Sequence, residues 1–469
     1  MNRKKDYENS CYITRRTALS WMASSLAMIS GFTYLKELYA QSATKKPNII
    51  FILTDDHRYD MLGCLGHPFL KTPNLDYLAN NGILFKNAFV TTSLCSPSRA
   101  SFLTGQYASR HGVINNFSPW KAENVTFLEL LKKGGYDTAF IGKWHMPGKG
   151  LPHLRGVDLF ISFTRKDGQG DYYNCPLFVN YKPVSNHKEY ITEELTDYAL
   201  EFIAQPRENP FCLYLSHKAV HHDWKPPRHL KGLYKNEKID FLAPESDKWN
   251  TWSGNNWLEG SMGSMHDIYR RYCECLVSVD EQIGRIIQQL NKMGILENTV
   301  IVYAGDNGYM WGEHRLYAKH WPYEESIRIP FIFFYRGIVK KPGKREQIIL
   351  NIDLAPSLLH LADISIPDWM QGESFIPIVK SPVSPGRKSF MYELFKDFPF
   401  GGRVPPNKTL RTERYKYIEW QACREPELYD LLEDPREMNN IIGTQKARKI
   451  LPMLKKELAE IKIKYGVID

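Results

Sequence analysis

The chain has 469 residues, enough for one large domain and a smaller one. Its apolar content of 43% and charged content of 24% are those of a globular protein and exclude a disordered or fibrous chain. The net charge of +9 comes without a basic run or a nucleic-acid-binding module, so no nucleic-acid partner is expected.

The first forty residues differ in kind from the rest. They start basic, carry a twin arginine at Arg15-Arg16, and continue as a modest apolar run from Ala18 to Phe32. That run is short for a bilayer span, so residues 1–40 read as an export signal of the twin-arginine kind, with a periplasmic destination and no stable membrane anchor. Without these residues, which hold six basic and three acidic side chains, the charge is +6, which suits an anionic ligand. Of the eight cysteines Cys11 lies in the signal. The other seven are odd in number and scattered, so no disulfide framework is expected.

From residue 46 the pattern is strand, loop, helix, repeated. "KPNIIFILTDD" is an apolar run of strand length that ends in Asp55-Asp56. "ILFKNAFV" follows a helix-like segment, and "TFLELLKKGGYDTAFIGKWH" reads as helix, Gly-Gly turn and strand ending at Lys143 and His145. "FCLYLSHKAVHH" is a strand that runs into His217, His221 and His222. "YRRYCECLVSVDEQIGRIIQQLNKMGILENTVIVYAGDNG" is a long amphipathic helix and a strand ending in Asp306-Asn307; "IPFIFFYRG" is another strand. Alternation of this kind predicts an α/β fold with a mostly parallel central sheet between helices. Beyond it, "LRTERYKYIEW" and "PELYDLLEDPREMNNI" read as short antiparallel strands and "KARKILPMLKKELAEIKIKYG" as a closing helix. The expected division is a catalytic domain at 41–375 and a small α+β subdomain at 376–469.

Polar residues gather where the strands end, and open α/β sheets place their sites beyond the carboxyl ends of the strands. A single Asp-Asp pair is usually a turn or a helix cap. Two pairs, Asp55-Asp56 and Asp306-Asn307, offer oxygen ligands suited to a hard cation. Lys143, His145, the histidines at 217, 221 and 222, Lys319, His320 and Arg99 together describe a pocket for a tetrahedral oxyanion, with acids at hand for a leaving group. "TTSLCSPSRASFLTGQ", Thr91 to Gln106, adds one cysteine in a short turn-forming context. Cys95 is open to three readings: a buried structural thiol, an ordinary thiolate nucleophile, or a cysteine rebuilt before use.

Cys95-Ser96-Pro97-Ser98-Arg99, with Leu103-Thr104-Gly105 after it, resembles the signature of the type I sulfatases of the alkaline-phosphatase-like superfamily. The likeness extends in family order through Asp55-Asp56, "GKWH", "SHKAVHH", "GDNG", "KHWPYEESIRIP" and "LYDLLEDPRE", covering roughly residues 46 to 435. The resemblance implies that a formylglycine-generating enzyme, guided by Pro97 and Arg99, oxidises Cys95 to formylglycine. The hydrated aldehyde has two hydroxyls: one attacks sulfur, the other expels sulfate. It further implies one calcium ion on Asp55, Asp56, Cys95, Asp306 and Asn307. Arg99 would steady the diol, Lys143 and Lys319 would hold sulfate oxygens, His145 would assist the diol, and His221 would protonate the leaving oxygen, with His222 as the alternative acid.

An aromatic-rich exported member of this family is expected to act on sulfated oligosaccharide or polysaccharide, either glycosaminoglycan or marine algal. "RHGVINN" resembles the branch of N-acetylglucosamine-6-sulfatases, and His111, Asn115, Asn116, Arg165, His266 and Arg403 are candidate sugar contacts. The rival readings are a phosphonate monoester or phosphodiester hydrolase of the same superfamily, and an inert glycan-binding relative.

Overall fold

The computed structural model describes residues 46–147, 154–163, 168–185, 188–240, 264–396, 404–421 and 424–467. The expected export signal, Arg165 and Arg403 lie outside them. No helix among the described residues is long and apolar enough to cross a membrane.

The apolar runs become the strands β1 (Asn48–Thr54), β2 (Ile83–Phe89), β3 (Asp137–Gly142), β4 (Leu159–Phe163), β5 (Leu177–Val179), β6 (Lys182–Val184), β7 (Phe211–Ser216), β8 (Thr299–Gly305), β9 (Met310–Trp311), β10 (Tyr317–Ala318), β11 (Phe331–Phe334) and β12 (Gly343–Leu350). Ten of them form one sheet in the order β12-β2-β11-β8-β1-β7-β3-β4-β5-β6. β8, β1, β7, β3 and β4 are parallel neighbours. β11 runs against both β2 and β8, so the sheet is mixed but mostly parallel.

Side chains of β1 alternate between the faces, as a strand period of two requires. Ile50 and Ile52 enter the core beneath the helices Pro73–Asn81, Ile191–Ala204 and Met265–Lys292. Ile49, Phe51 and Leu53 enter the core beneath Cys95–Thr104, Phe127–Lys133 and Leu354–Leu361. Both faces being covered, the strands read as nearly continuous apolar runs.

A second sheet, β13 (Ser389–Leu394), β14 (Asn407–Thr412), β15 (Tyr415–Trp420) and β16 (Glu427–Asp430), is antiparallel throughout. The helix Gln445–Tyr465 packs on it through Ala447, Leu454 and Leu458. The same cluster includes Phe89, Tyr107 and Leu350, so this sheet shares a core with the large one. Of "PELYDLLEDPREMNNI" only Glu427–Asp430 is strand; the rest turns back toward the helix.

Candidate active site

Four adjacent parallel strands end together: β8 before Asp306-Asn307, β1 before Asp55-Asp56, β7 before His217, and β3 before Lys143. Gly142 makes the tightest of these junctions. It has φ +115°, and a Cβ there would lie 1.9 Å from the Ser216 carbonyl oxygen. Only glycine lets β3 close on β7 so nearly, and the Lys143 amide then donates to that carbonyl at 2.8 Å.

The segment around Cys95 is a helix rather than the turn its residues suggested. Cys95–Thr104 is helical and buried along its whole length, with Cys95 as its first residue and Gly105 closing it at φ +68°. Pro97 falls in the first turn, where a missing N–H costs nothing. Asn116 Oδ1 accepts from the Ser96 amide at 3.0 Å, and the Ser96 hydroxyl donates to the His145 carbonyl, so the helix start is pinned on two sides.

Arg99, one turn on, binds the strand ends to one another. Its Nε donates to Asp306 Oδ2 at 2.9 Å, its Nη2 to Asp55 Oδ2 at 3.2 Å, and its Nη1 to Ser216 Oγ at 2.6 Å and the Lys143 carbonyl at 3.1 Å. The Lys143 ammonium donates to Asp55 Oδ2 and, at 2.6 Å, to Gln169 Oε1. Lys319 donates to Asp56 Oδ1 at 2.6 Å and to Cys95 Sγ at 2.8 Å; Asp55 Oδ1 lies 3.5 Å from that sulfur. Asp56, His145, Ala318 and His320 all have φ in the left-handed region (54°, 54°, 68° and 84°). Non-glycine residues held there carry strain that the surrounding contacts must over-determine, and such strain concentrates at working sites.

Burial dominates the electrostatics. Asp55 is desolvated, yet Lys143, Arg99 and Lys319 together hold its carboxyl below the usual range. Burial, reinforced by Asp55 and Asp306, pushes Asp56 up to about 7. Burial and Asp55 push the Cys95 thiol well up, so the unmodified thiol is a poor nucleophile. Burial and the surrounding cations hold His145 and His221 well below the usual imidazole range.

Asp55, Asp56 and Asp306 bring carboxylate oxygens within 4.8 Å of one another, all buried. Asp56 Oδ2 and Asn307 Oδ1 are buried without a hydrogen-bond partner. An all-oxygen set with two buried acceptors left open fits a hard cation.

Of the histidines, His221 Nε2 lies 3.9 Å from Asp56 Oδ2. Its loop is tied to β1 by Asp55 N donating to the Ala219 carbonyl and Val220 N donating to the Asp55 carbonyl, and Tyr172 Oη donates to the His221 carbonyl at 2.7 Å. The His222 ring packs against it, tilted by 42° with ring centroids 3.9 Å apart. His217 is buried, and neither ring nitrogen has a partner.

The candidate sugar contacts separate. His111 is not one: it is fully buried, with Nε2 3.1 Å from Ser101 Oγ and Nδ1 accepting from the Val113 amide, so it belongs to the interior. Asn115 holds its own turn, accepting from the Phe117 amide and the Ser118 hydroxyl. Asn116 caps the Cys95 helix. His266 is exposed in the first turn of the helix Met265–Lys292. Gln169 was not foreseen. Its amide bridges Lys143 and His145, donating to His145 Nε2 at 2.8 Å.

Comparison with known proteins agrees with this geometry. The Sulfatase family matches residues 47–364, and the family described as N-sulphoglucosamine sulphohydrolase, C-terminal, matches 312–464. The chain is 31% identical to an N-acetylglucosamine-6-O-sulfatase of Bacteroides thetaiotaomicron, over 90% of this chain and 87% of that protein. It is 30% identical to an ulvan-active sulfatase of Formosa agariphila, over 93% and 87%. A solved structure in complex with its substrate D-glucosamine-2-N,6-O-disulfate superposes with a TM-score of 0.83 at 29% identity, covering 91% of this chain and 99% of that one. The chain belongs to the sulfatase family, hydrolases of sulfuric esters.

Proposed function

We propose that the protein hydrolyses sulfate esters on carbohydrate, with 6-O-sulfated glucosamine units of glycosaminoglycan fragments as the first class to test, and releases inorganic sulfate. Two comparisons support that choice of sugar: the bacterial relative is named for N-acetylglucosamine 6-O-sulfate, and the superposed structure holds a glucosamine disulfate. The observation that carries the reaction is the placing of Cys95. It opens a buried helix, touches Lys319 and Asp55, and has its thiol pKa raised, an environment unsuited to a plain thiolate and suited to an oxidised side chain that needs neighbouring cations.

Formylglycine at position 95 supplies the attacking hydroxyl, and a calcium ion on Asp55, Asp56, Asp306 and Asn307 supplies Lewis acidity toward a sulfate oxygen. This chain's side chains do the rest. The Lys143 and Lys319 ammonium groups, both joined to the Asp55-Asp56 pair, hold the ester's sulfate oxygens and leave its bridging oxygen toward His221. Arg99 keeps Asp55, Asp306, Ser216 and the Lys143 backbone in one arrangement. His145 lies against Gln169 and, through its carbonyl, the start of the Cys95 helix, and assists the residue-95 diol as a hydrogen-bond donor through Nδ1–H. His221 protonates the departing sugar oxygen; burial first, then the neighbouring cations, hold its ring neutral, and a bound sulfate anion opposes the effect of those cations. Residues 1–40 direct the chain out of the cytoplasm, to the periplasm.

The test joins mass and rate. Protein made in a host that contains a formylglycine-generating enzyme is expected to show formylglycine in the peptide bearing Cys95, to cleave N-acetylglucosamine 6-sulfate, and to lose turnover as Cys95→Ala. Full activity with an intact Cys95 thiol would overturn the mechanism. Faster turnover of a phenyl phosphonate than of any sulfate ester would favour the phosphonate-hydrolase reading.

A further inference from the structure

One cation beside the site has no part in the reaction above. Lys218 follows β7 and lies one tight turn before His221, whose amide donates to the Lys218 carbonyl at 3.0 Å. The residue is only 3% exposed. Among the described residues its ammonium has no ion-pair or hydrogen-bond partner; the one contact given to it is the face of the Tyr172 ring, 5.1 Å from the centroid. Among the described residues, the other buried lysines and the arginine of the site are matched. Lys143 and Arg99 share Asp55, and Lys319 takes Asp56. Asp223, beyond the histidines, pairs with Lys225 at 3.7 Å.

Lys218 also acts on the two histidines proposed for the leaving group. Burial first, then charges that include Lys218, push both His221 and His222 below the imidazole range. Burial and Lys143 in turn lower the Lys218 ammonium to about 8, against the pull of Asp55, Asp223 and Asp171, none of which lies within ion-pair distance of it. A buried charge without a counterion is costly, and a ring face repays only part of that cost. A monoanionic sulfate ester is already served by Lys143 and Lys319, so a third cation beside the leaving group lacks a counterion until the ligand brings one.

We propose that Lys218 is a specificity residue that binds a second anionic group on the leaving sugar, a sulfate or a carboxylate, apart from the scissile sulfate. This rests on the carbohydrate-sulfatase reading. It extends that reading from the ester to its neighbourhood: the preferred substrates are multiply anionic sugars.

The experiment uses four probes with the full chain and with Lys218→Met: nitrophenyl sulfate, N-acetylglucosamine 6-sulfate, glucosamine 2-N,6-O-disulfate, and a 6-sulfated disaccharide carrying a uronate as the carboxylate arm. Each sugar is measured as substrate and as competitive inhibitor of nitrophenyl sulfate hydrolysis, so that binding is read even where turnover is slow. Wild-type protein is expected to favour a doubly anionic sugar over the N-acetyl sugar, and Lys218→Met should erase about tenfold of that preference, the worth of one charge-assisted hydrogen bond. The disulfate and uronate arms show which anion is meant. A loss equal on all probes, nitrophenyl sulfate included, would overturn the proposal by assigning Lys218 to the transferring sulfate; an unchanged preference, or none in the wild type, would overturn it as well. Thermal midpoints separate function from folding. Removing an uncompensated buried charge should leave the midpoint equal or higher, whereas a structural lysine would lower it. Failure of the carbohydrate reading is distinct: neither turnover nor inhibition by any sugar, with nitrophenyl sulfate still cleaved.

Discussion

Gln169 stands between Gly168 at φ +66° and Gly170 at φ +69°. A Cβ on Gly168 would meet the His145 Cα at 2.8 Å, so the loop passes against the backbone of the histidine it serves. From there one amide accepts from Lys143 and donates to His145 Nε2, which places the imidazole proton on Nδ1. Gln169→Ala is expected to lower kcat/KM by about tenfold on nitrophenyl and sugar sulfates alike, because both partners act on the sulfate side rather than on the leaving group. Gln169→Glu should be worse in KM than the alanine, since it sets a fixed anion where the sulfate must bind; steady-state kinetics on the two variants checks the order, and an unaffected alanine variant would make the bridge incidental. A glutamine between two glycines has no chemical signature in a sequence; its meaning comes from where the loop passes. The aspartates were legible for the opposite reason, because carboxylates placed directly after apolar runs must lie at strand ends. His111 misled for a related cause: its residue type is polar, but the short helix Ala108–His111 turns it inward onto Ser101.

At the scale of elements, the antiparallel sheet holds the loop that presents Lys319. Tyr392 on β13 donates to the His320 carbonyl at 2.7 Å. Arg411 on β14 reaches both Glu324 oxygens at 3.2 and 3.3 Å, and Lys416 on β15 bridges Glu324 at 3.0 Å and Glu437 at 2.6 Å. All four charged groups are buried. Breaking one member strands the others, so Arg411→Met is expected to cost about 3 kcal/mol of stability and to raise KM for sulfate esters as the Lys319 loop loosens. Glu324→Gln in the same chain should return part of that loss, because it removes the stranded charge; denaturant titration of the single and double variants gives the coupling. This link was not legible, since Glu324, Arg411, Lys416 and Glu437 are far apart in the chain and each reads singly as a surface charge. The strands themselves were legible from their apolar runs, but their directions were not. "IPFIFFYRG" gives β11 without saying that it runs against β2 and β8, because a strand buried on both faces has the same pattern either way.

Two sets of buried groups contribute to the acid response of the whole molecule in opposite directions. Burial pushes His111 and His217 down to about 3, so both stay neutral in the folded chain at pH values where the unfolded chain has protonated them. From about pH 6.5 downward the unfolded state binds more protons through these two, and stability must fall as pH falls. Burial pushes Glu325 up to about 8 and Glu437 up to about 7, so the folded chain keeps protons that the unfolded chain releases. Through these, stability falls as pH rises from about 4.5 toward the folded values. Between about pH 4.5 and about pH 6.5 the two sets act against each other, and a raw stability curve cannot apportion them. A difference measurement can. His111→Gln removes one titrating histidine and can keep a bond to Ser101. Stability differences between wild type and this variant, from guanidinium titrations at fixed calcium, should shift in favour of the variant by about 1.4 kcal/mol per pH unit across the range from about pH 6 to about pH 4. The variant is expected to be the less stable protein near neutrality and to close that gap in acid. A difference that stays constant with pH would mean that His111 titrates alike in the folded and unfolded chains, and that the interior around Ser101 is open to water.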